Sequence, residues 1–411
     1  MHSSHRVGPI PFREFVSLIA AMMACQAIAV DAMLPALTGL AQDLAVSANR
    51  TQGVVTTYVA GLGVGQLFWG VLSDRLGRRP VMLTGVALYG VASLLSAIVS
   101  SFEGLLALRL VQGIAGASFV TSRTVVRDLY DGRRMARVLS LTFVVFITVP
   151  IVAPSIGQVV LLLAGWRCLS VLFGVMAIGI WFWIFIRLPE TLNPKYRIAL
   201  TWGRVAETVS QVFRDPASCW YTLATAALFG SIVAYCGMMQ QIFMEVFHKP
   251  GMMPSIFALC ASVMGLTSFV NSSLVERVGM RIVSQIGVLA LVAVSGVHVL
   301  VSAIGRESLE AFVFLQALTL GCFGLTLANF GAMAMESMGS IAGVAASLQG
   351  SITTFGGALI AILIGREFNG STLPLEIGTA ICSIAALVCV LIAERWRLFY
   401  LPFCRRGQRA L

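Results

Sequence analysis

Four groups of residues in this chain combine types and spacings that could do chemistry, and each lies in or beside a long apolar run. The first is Asp31, within Val30-Asp31-Ala32-Met33-Leu34-Pro35-Ala36-Leu37, the one carboxylate that reads as clearly inside such a run. An aspartate at the centre of a membrane helix costs about 2.5–3.5 kcal/mol, so it calls for a water-filled cavity or a partner. A carboxyl group in a cavity can take up a proton from one side and release it to the other. The alternative is a static carboxylate at a helix end, since Pro35 follows one turn later. The second is Arg109, within Leu106-Ala107-Leu108-Arg109-Leu110-Val111-Gln112-Gly113-Ile114-Ala115-Gly116. Its guanidinium needs acceptors at that depth. Gln112 lies on the same helical face, and Gly113 and Gly116 let a neighbouring helix come close. The alternative here is a structural arginine bonded to backbone carbonyls. The third is Gly70-Val71-Leu72-Ser73-Asp74-Arg75-Leu76-Gly77-Arg78-Arg79-Pro80, a charged hinge squeezed between two apolar runs. Asp74, Arg75, Arg78 and Arg79 pack there around Gly70 and Gly77. The fourth is Pro150-Ile151-Val152-Ala153-Pro154-Ser155-Ile156-Gly157. Its two prolines, four apart, free backbone carbonyls and bend a helix.

Membrane-crossing elements must position these groups. The chain of 411 residues is 58% hydrophobic and 11% charged, with a mean hydropathy of +0.90. A soluble protein carries about 25% charged residues. The deficit runs along the whole length, so the whole chain is expected to be embedded. A span takes about 20 apolar residues. Apolar windows give twelve: 13–37, 50–72, 80–100, 103–126, 136–163, 167–187, 217–240, 252–274, 281–303, 308–331, 341–364 and 373–394. Barrel strands would be about 10 residues long and alternating, so helices are the spanning element. The first run is longer than the apolar core of a secretory signal and is retained as a span. The expected fold class is all-α and integral to the membrane, with twelve transmembrane helices in two six-helix halves.

The basic residues set an orientation. With both termini in the cytoplasm, 22 of the 28 lysines and arginines fall on the cytoplasmic side, five fall opposite, and Arg109 lies within a span. That asymmetry fits the positive-inside rule, and an odd number of spans would scramble it. The net charge of +10 is therefore topological. No basic tract with interleaved aromatics points to nucleic acid. The expected organisation is an N-terminal bundle over 1–187, a cytoplasmic linker over 188–216, and a C-terminal bundle over 217–411 with a short basic cytoplasmic tail. Glu276-Arg277-Val278-Gly279-Met280-Arg281 reads as a degraded copy of the Asp74–Arg79 turn about 200 residues later, which suggests two halves related by an axis along the membrane normal. Nine cysteines are scattered without CxxC or Cys/His spacing. They read as packing residues rather than disulfides or metal ligands.

The Gly70–Pro80 segment resembles the signature loop after the second helix of major facilitator superfamily transporters. Asp31 with Leu34-Pro35-Ala36-Leu37, Gly65-Gln66 before the hinge, Arg123 to Asp128, and Leu188-Pro189-Glu190-Thr191-Leu192 together resemble the Bcr/CflA group of that family. The resemblance implies drug:proton antiport across the bacterial inner membrane, by two halves rocking around a central cavity. It further implies that Asp31 and Arg109 couple protons, with Arg109 easing proton release from Asp31 when the two are close. It also implies that Pro150, Pro154 and Gly157 belong to a span-five motif typical of antiporters, although Ala153 and Gln158 stand where glycines are usual.

Two further function classes compete with drug efflux. A metabolite carrier of the same fold, moving amino acids, sugars or nucleosides, would be expected to line its cavity with more charge. The second half offers no obvious intramembrane charge. An integral-membrane enzyme or sensor lacks support: no catalytic set, metal spacing or GxxxxGK[ST] stretch appears. No cofactor is expected, and the expected partners are a small-molecule drug or metabolite, protons and the lipid bilayer. The chain is expected to be a monomer. A site for varied apolar molecules wants aromatics with a few polar groups. Candidates by position are Tyr58 and Gln66 in span two, Gln112 in span four, Phe143 and Phe146 in span five, Tyr235 and Gln240 in span seven, and Asn329 in span ten. His298 in span nine is a proton relay candidate by type, but span nine is usually peripheral in the family the chain resembles, so the preferred reading is a packing residue.

Overall fold

The computed structural model describes residues 10–130, 132–192, 210–305, 307–338 and 342–399. Twelve long helices follow one another among them: α1 (Phe12–Asp31), α2 (Gly53–Leu76), α3 (Arg78–Ile98), α4 (Phe102–Gly116), α5 (Gly132–Ala164), α6 (Trp166–Arg187), α7 (Pro216–Gln241), α8 (Met253–Val278), α9 (Met280–Ala303), α10 (Leu309–Met335), α11 (Ala342–Arg366) and α12 (Leu373–Ala393). No strand occurs among the described residues. With their short extensions, all but α5 are long and apolar enough to cross a membrane. α5 runs for 33 residues and contributes the apolar stretch Thr148–Ala164. Large side chains such as Ile98, Leu162 and Leu163 are mostly exposed. Aliphatic groups are stable there only against lipid. The protein is a multi-pass membrane protein.

Local chemistry explains several boundaries. Ser101, Asp215 and Ser308 each accept a hydrogen bond from a backbone N–H three residues on, capping α4, α7 and α10. The first span differs from its expected form. It does not run as one helix through residue 37; α1 stops at Asp31. A 3₁₀ turn over Leu34–Ala36 follows, and then a short helix, Leu37–Asp43. Pro35 has no N–H to give the Asp31 carbonyl, so the α-helical ladder cannot continue through it. Helices pack closest where side chains are smallest. α2 lies against α4 at Gly61 and Gly113, where an added Cβ on Gly113 would sit 3.0 Å from the Gly61 Cα. α11 crosses α2 at Gly63, whose carbonyl accepts from Ser351 Oγ at 2.6 Å.

The charged turn between α2 and α3 is tied from several sides. Gly77 has φ +110° and ψ 160°, a region open essentially to glycine alone. A Cβ there would also strike the carboxylate of Glu190. That carboxylate caps α3: Oε1 accepts from Arg78 N at 2.9 Å and Oε2 from Arg79 N at 3.3 Å. The Arg78 side chain is buried and pairs with Asp74. It also donates to Ser73 Oγ at 2.8 Å and to Asp128 Oδ2 at 3.1 Å. Arg79 donates to the Phe185 carbonyl at 2.7 Å, while Arg75 is exposed. Glu190 thus belongs structurally to the turn. Residues 193–209, which hold most of the expected linker, and the tail beyond 399 lie outside the described residues. The later turn repeats the backbone, with Gly279 at φ +89°. Arg281 is its paired cation, meeting Glu336 at 2.9 Å and Glu394 at 3.4 Å.

Gly77→Ala is expected to destabilise the protein by about 1–3 kcal/mol through backbone strain and to displace Glu190. A lower apparent Tm in detergent checks this. Glu190→Gln should retain most of the stability, because an amide oxygen still accepts from the α3 N–H groups.

Candidate functional site

A cavity of about 710 Å³ lies between the helices. Its wall is mostly apolar, with two carboxylates, three glutamines and a series of serine and threonine hydroxyls spaced along it. Near one end are Gln26 and Asp31 from α1; near the other are Asp74 from α2 and Ser122 and Thr124 from the helix after α4. Gln66 stands between them and reaches α11, its amide donating to Thr354 Oγ1 at 3.4 Å. Met23 and Pro150 also line the wall.

Asp31 is the C-terminal residue of α1 and only 7% exposed. Its carboxylate forms no hydrogen bond or ion pair among the described residues and faces the cavity. The helix break sets it there, and Gly157 lets α5 close over that break: a Cβ on Gly157 would overlap the Ala32 carbonyl. Of the kink residues, Pro150 lines the cavity, Pro154 lies one turn further along α5, and Gly157 makes this contact.

Arg109 lies behind Asp31, 1% exposed. Its Nη1 donates to the Ala29 carbonyl at 3.3 Å and to Gln112 Oε1 at 3.0 Å. The guanidinium sits 5.7 Å from the centre of the Phe173 ring. Nε and Nη2 are buried without partners. Arg109 therefore binds the backbone two residues before Asp31 and does not pair with its carboxylate in this structure.

The wall is built from different residues than sequence position indicated. Tyr58 donates to the Gln26 carbonyl at 3.4 Å behind the wall. Gln112 links Arg109 to Ser93 Oγ at 2.7 Å. Tyr235 stacks on Phe257 at 5.6 Å, and Gln240 is buried in α7. Asn329 pairs with Asn271 at 2.8 Å, joining α10 to α8. These five fill gaps between helices and do not line the cavity. Phe143 and Phe146 lie in α5, but their side chains fall outside the described residues. In the hinge, Asp74 and Gly70 border the cavity, and a Cβ on Gly70 would lie 2.6 Å from Ser347 Oγ of α11. Position along a span was insufficient to find the lining groups Gln26, Ser122, Thr124 and Thr354, because helix rotation decides which face meets the cavity.

Beyond Asp31 the cavity is closed by neutral amides. Asn49 Nδ2 donates to the Phe368 carbonyl at 2.9 Å, Gln52 Nε2 to Gln241 Oε1 at 2.9 Å, and Gln241 Nε2 to Asn49 Oδ1 at 2.6 Å. The free cysteine Cys236 lines the cavity on α7. A membrane-impermeant thiol reagent is expected to label Cys236 from the hinge side, with the other cysteines replaced, and only slowly from the Asn49 side. Gln52→Ala with Gln241→Ala should speed labelling from the Asn49 side, by about fivefold for each bond worth about 1 kcal/mol. Labelling rates in oriented vesicles check it.

The sequence profile of the Major Facilitator Superfamily matches residues 19–361. A bicyclomycin resistance protein homolog from Haemophilus influenzae is 27% identical over 361 residues, covering 87% of this chain and 90% of that one. The multidrug resistance protein MdtL of Klebsiella pneumoniae is 29% identical over 381 residues, covering 88% and 91%. The crystal structure of a D-xylose–proton symporter superposes with a TM-score of 0.70 at 13% identity, over 93% of this chain and 97% of that one. That likeness bears on the fold alone. The profile match, the relatives and the helical order agree: the chain belongs to the Major Facilitator Superfamily.

Proposed function

We propose that this transporter exports small amphiphilic compounds, antibiotics among them, in exchange for protons. The observation that carries the reading is Asp31: a nearly buried carboxylate with no partner among the described residues, facing a largely apolar cavity, with a spare-donor arginine behind it. An unpaired charge in such a place is costly. Asp31 is relieved by a proton when it faces the cavity, and by Arg109 when the helices shift to bring the two together. The first state holds a proton and the second releases it. The largely apolar wall, with uncharged hydroxyls and amides spread along it, suits varied amphiphiles, and relatives named for bicyclomycin and multidrug resistance support that substrate class.

The setting we propose is the bacterial inner membrane, with a monomer, both termini in the cytoplasm, and the hinge end of the cavity facing the cytoplasm. The six helices on each side of the 188–216 segment move as two bodies. Asp74 and Arg78 at the hinge resist separation of α2 from α3 during that movement. A proton entering down about 100 mV supplies about 2.3 kcal/mol, and one pH unit adds about 1.4 kcal/mol. One proton per cycle therefore sustains about a 500-fold gradient of a neutral compound.

The test is efflux from proteoliposomes under an imposed pH gradient, with a panel of labelled antibiotics and metabolites. Wild type is expected to move a drug against its gradient only when protons run the other way. Asp31→Asn should bring accumulation down from that ceiling to simple equilibration while the protein stays folded, and pH-driven transport in this variant would remove Asp31 from the mechanism. Arg109→Ala should weaken coupling. Asp74→Asn should slow turnover without changing the coupling ratio. If drugs are ignored while an amino acid, sugar or nucleoside exchanges with protons, metabolite carriage replaces drug export.

A further inference from the structure

The second set of helices contains a buried charge cluster that sequence position did not reveal. His298 of α9 is fully buried, as is Glu376 in the first turn of α12. Glu307, from the connection between α9 and α10, has a side chain only 6% exposed. His298 Nε2 lies 2.7 Å from Glu307 Oε1, and Nδ1 lies 2.8 Å from Glu376 Oε2. Neither oxygen of Glu376 has a well-aligned hydrogen bond. Glu376 is thus a fully buried, unsatisfied carboxyl group pressed against the imidazole.

Proton counting follows from these two contacts. A neutral imidazole has one N–H and one lone pair. It can satisfy one carboxylate, but its other nitrogen would then set a lone pair against a carboxylate oxygen. Each short N···O contact therefore needs its own proton. The imidazole carries both, or one carboxyl group carries the second. In either form the cluster holds one proton more than a neutral histidine beside two carboxylates. Losing it leaves two buried negative charges with no cation paired to them among the described residues.

Among the described residues the surroundings offer no substitute. Thr372 donates to Glu307, and Ser302 bonds Thr372 at 2.7 Å. Phe312 of α10 packs its ring 5.7 Å from the imidazole. The facing titratable group on α7 is the phenol of Tyr235. Among the described residues no lysine or arginine pairs with the cluster. The cluster also stands beside the closed end of the cavity. The segment that supplies Thr372 supplies the Phe368 carbonyl, which accepts from Asn49.

We propose that His298, Glu307 and Glu376 form a second proton-binding site, separate from Asp31, whose proton anchors the Phe368–Thr372 segment and so holds the Asn49 end closed. The proton leaves to water at the Glu307 edge, the most exposed of the three. Its departure sets lone pair against carboxylate, pushes α12 from α9 and frees Thr372. The inference does not depend on Asp31 carrying the coupled proton.

The test uses the full-length protein in detergent and in proteoliposomes without substrate. Apparent Tm is measured from mildly acidic to strongly alkaline pH. In parallel, the distance between spin labels at Ser47→Cys and Asn369→Cys, on the exposed flanks of the Asn49–Phe368 bond, is read by pulsed electron resonance. Proton binding that favours the closed form is fully present at low pH and is lost as pH rises. Wild type should therefore lose Tm and populate a longer label distance on alkalinisation. The open population should rise about tenfold for one unit of difference in proton affinity between the two forms. Glu376→Gln and Glu307→Gln each put an amide N–H where a proton was required, so both should flatten the alkaline response. Tyr235→Phe should keep it. A wild type without the response, a response retained in both glutamine variants, or one abolished only by Tyr235→Phe overturns the proposal.

Discussion

Inside an apolar bilayer a backbone N–H or C=O without a partner costs several kcal/mol, so a membrane helix can be broken only where its freed groups find replacements. The rest of this structure depends on one such break. Pro35 cannot bond back to the Asp31 carbonyl, and the chain answers with tighter turns. Ala32 N bonds Ile28 O at 3.0 Å, Met33 N bonds Val30 O at 3.3 Å, and Ala36 N bonds Met33 O at 3.1 Å. The break leaves Asp31 at a helix end with its side chain unclaimed. Because Gly157 carries no Cβ, α5 can close over the broken segment. The cavity, the buried arginine and the closed end are all arranged around that carboxylate.

The chemistry of the two ends differs in a way that matters for a molecule that opens and closes. The turn between α2 and α3 uses full charges, with Arg78 shared among Asp74, Ser73 and Asp128. Removing one partner there would leave a charge unsatisfied, so the unit resists being pulled apart. The closure beyond Asp31 uses Asn49, Gln52 and Gln241, whose amides both donate and accept. Each such bond is modest in net energy, and its parts can find water when separated. A rigid charged turn and a releasable neutral seal are what one would build for elements that stay together and surfaces that part.

Arg109 and the His298 cluster show the same physics in opposite arrangements. Arg109 is a buried cation with spare donors and no carboxylate; the cluster is two buried carboxyl groups sharing one imidazole. Each leaves a charge imbalance that a single proton or a small helix shift can resolve. Most other buried polar groups in the bundle are paired locally, as Ser231 is with Thr379 at 2.9 Å and Asn271 with Asn329. Against that background, imbalance marks the places able to change state.

Much was legible in the residues alone. Apolar runs set most helices to within a few residues, because hydropathy must match bilayer thickness whatever the packing; the first and fourth spans break earlier, at Asp31 and Gly116. The turn at Gly77 was legible because its glycine, acid and bases sit together in the chain. The break after Asp31 was written in Pro35, yet an unbroken run of apolar residues concealed it. Glu376 was overlooked because an acid in the first turn of a helix ordinarily faces the surface, where it favours the helix dipole. His298 read as a candidate proton relay, but the peripheral place of span nine favoured packing, because its partners come from a loop 9 residues away and a helix 78 residues away. Tyr58, Gln112, Tyr235, Gln240 and Asn329 were expected to line the cavity, and packing instead sets them in gaps between helices. The sequence by itself determined which segments are helices and where charge can sit along them, since both follow from local hydropathy and covalent geometry. Only the tertiary structure decided which face of each helix meets the cavity, because rotation about a helix axis is set by how small residues on neighbouring helices interlock.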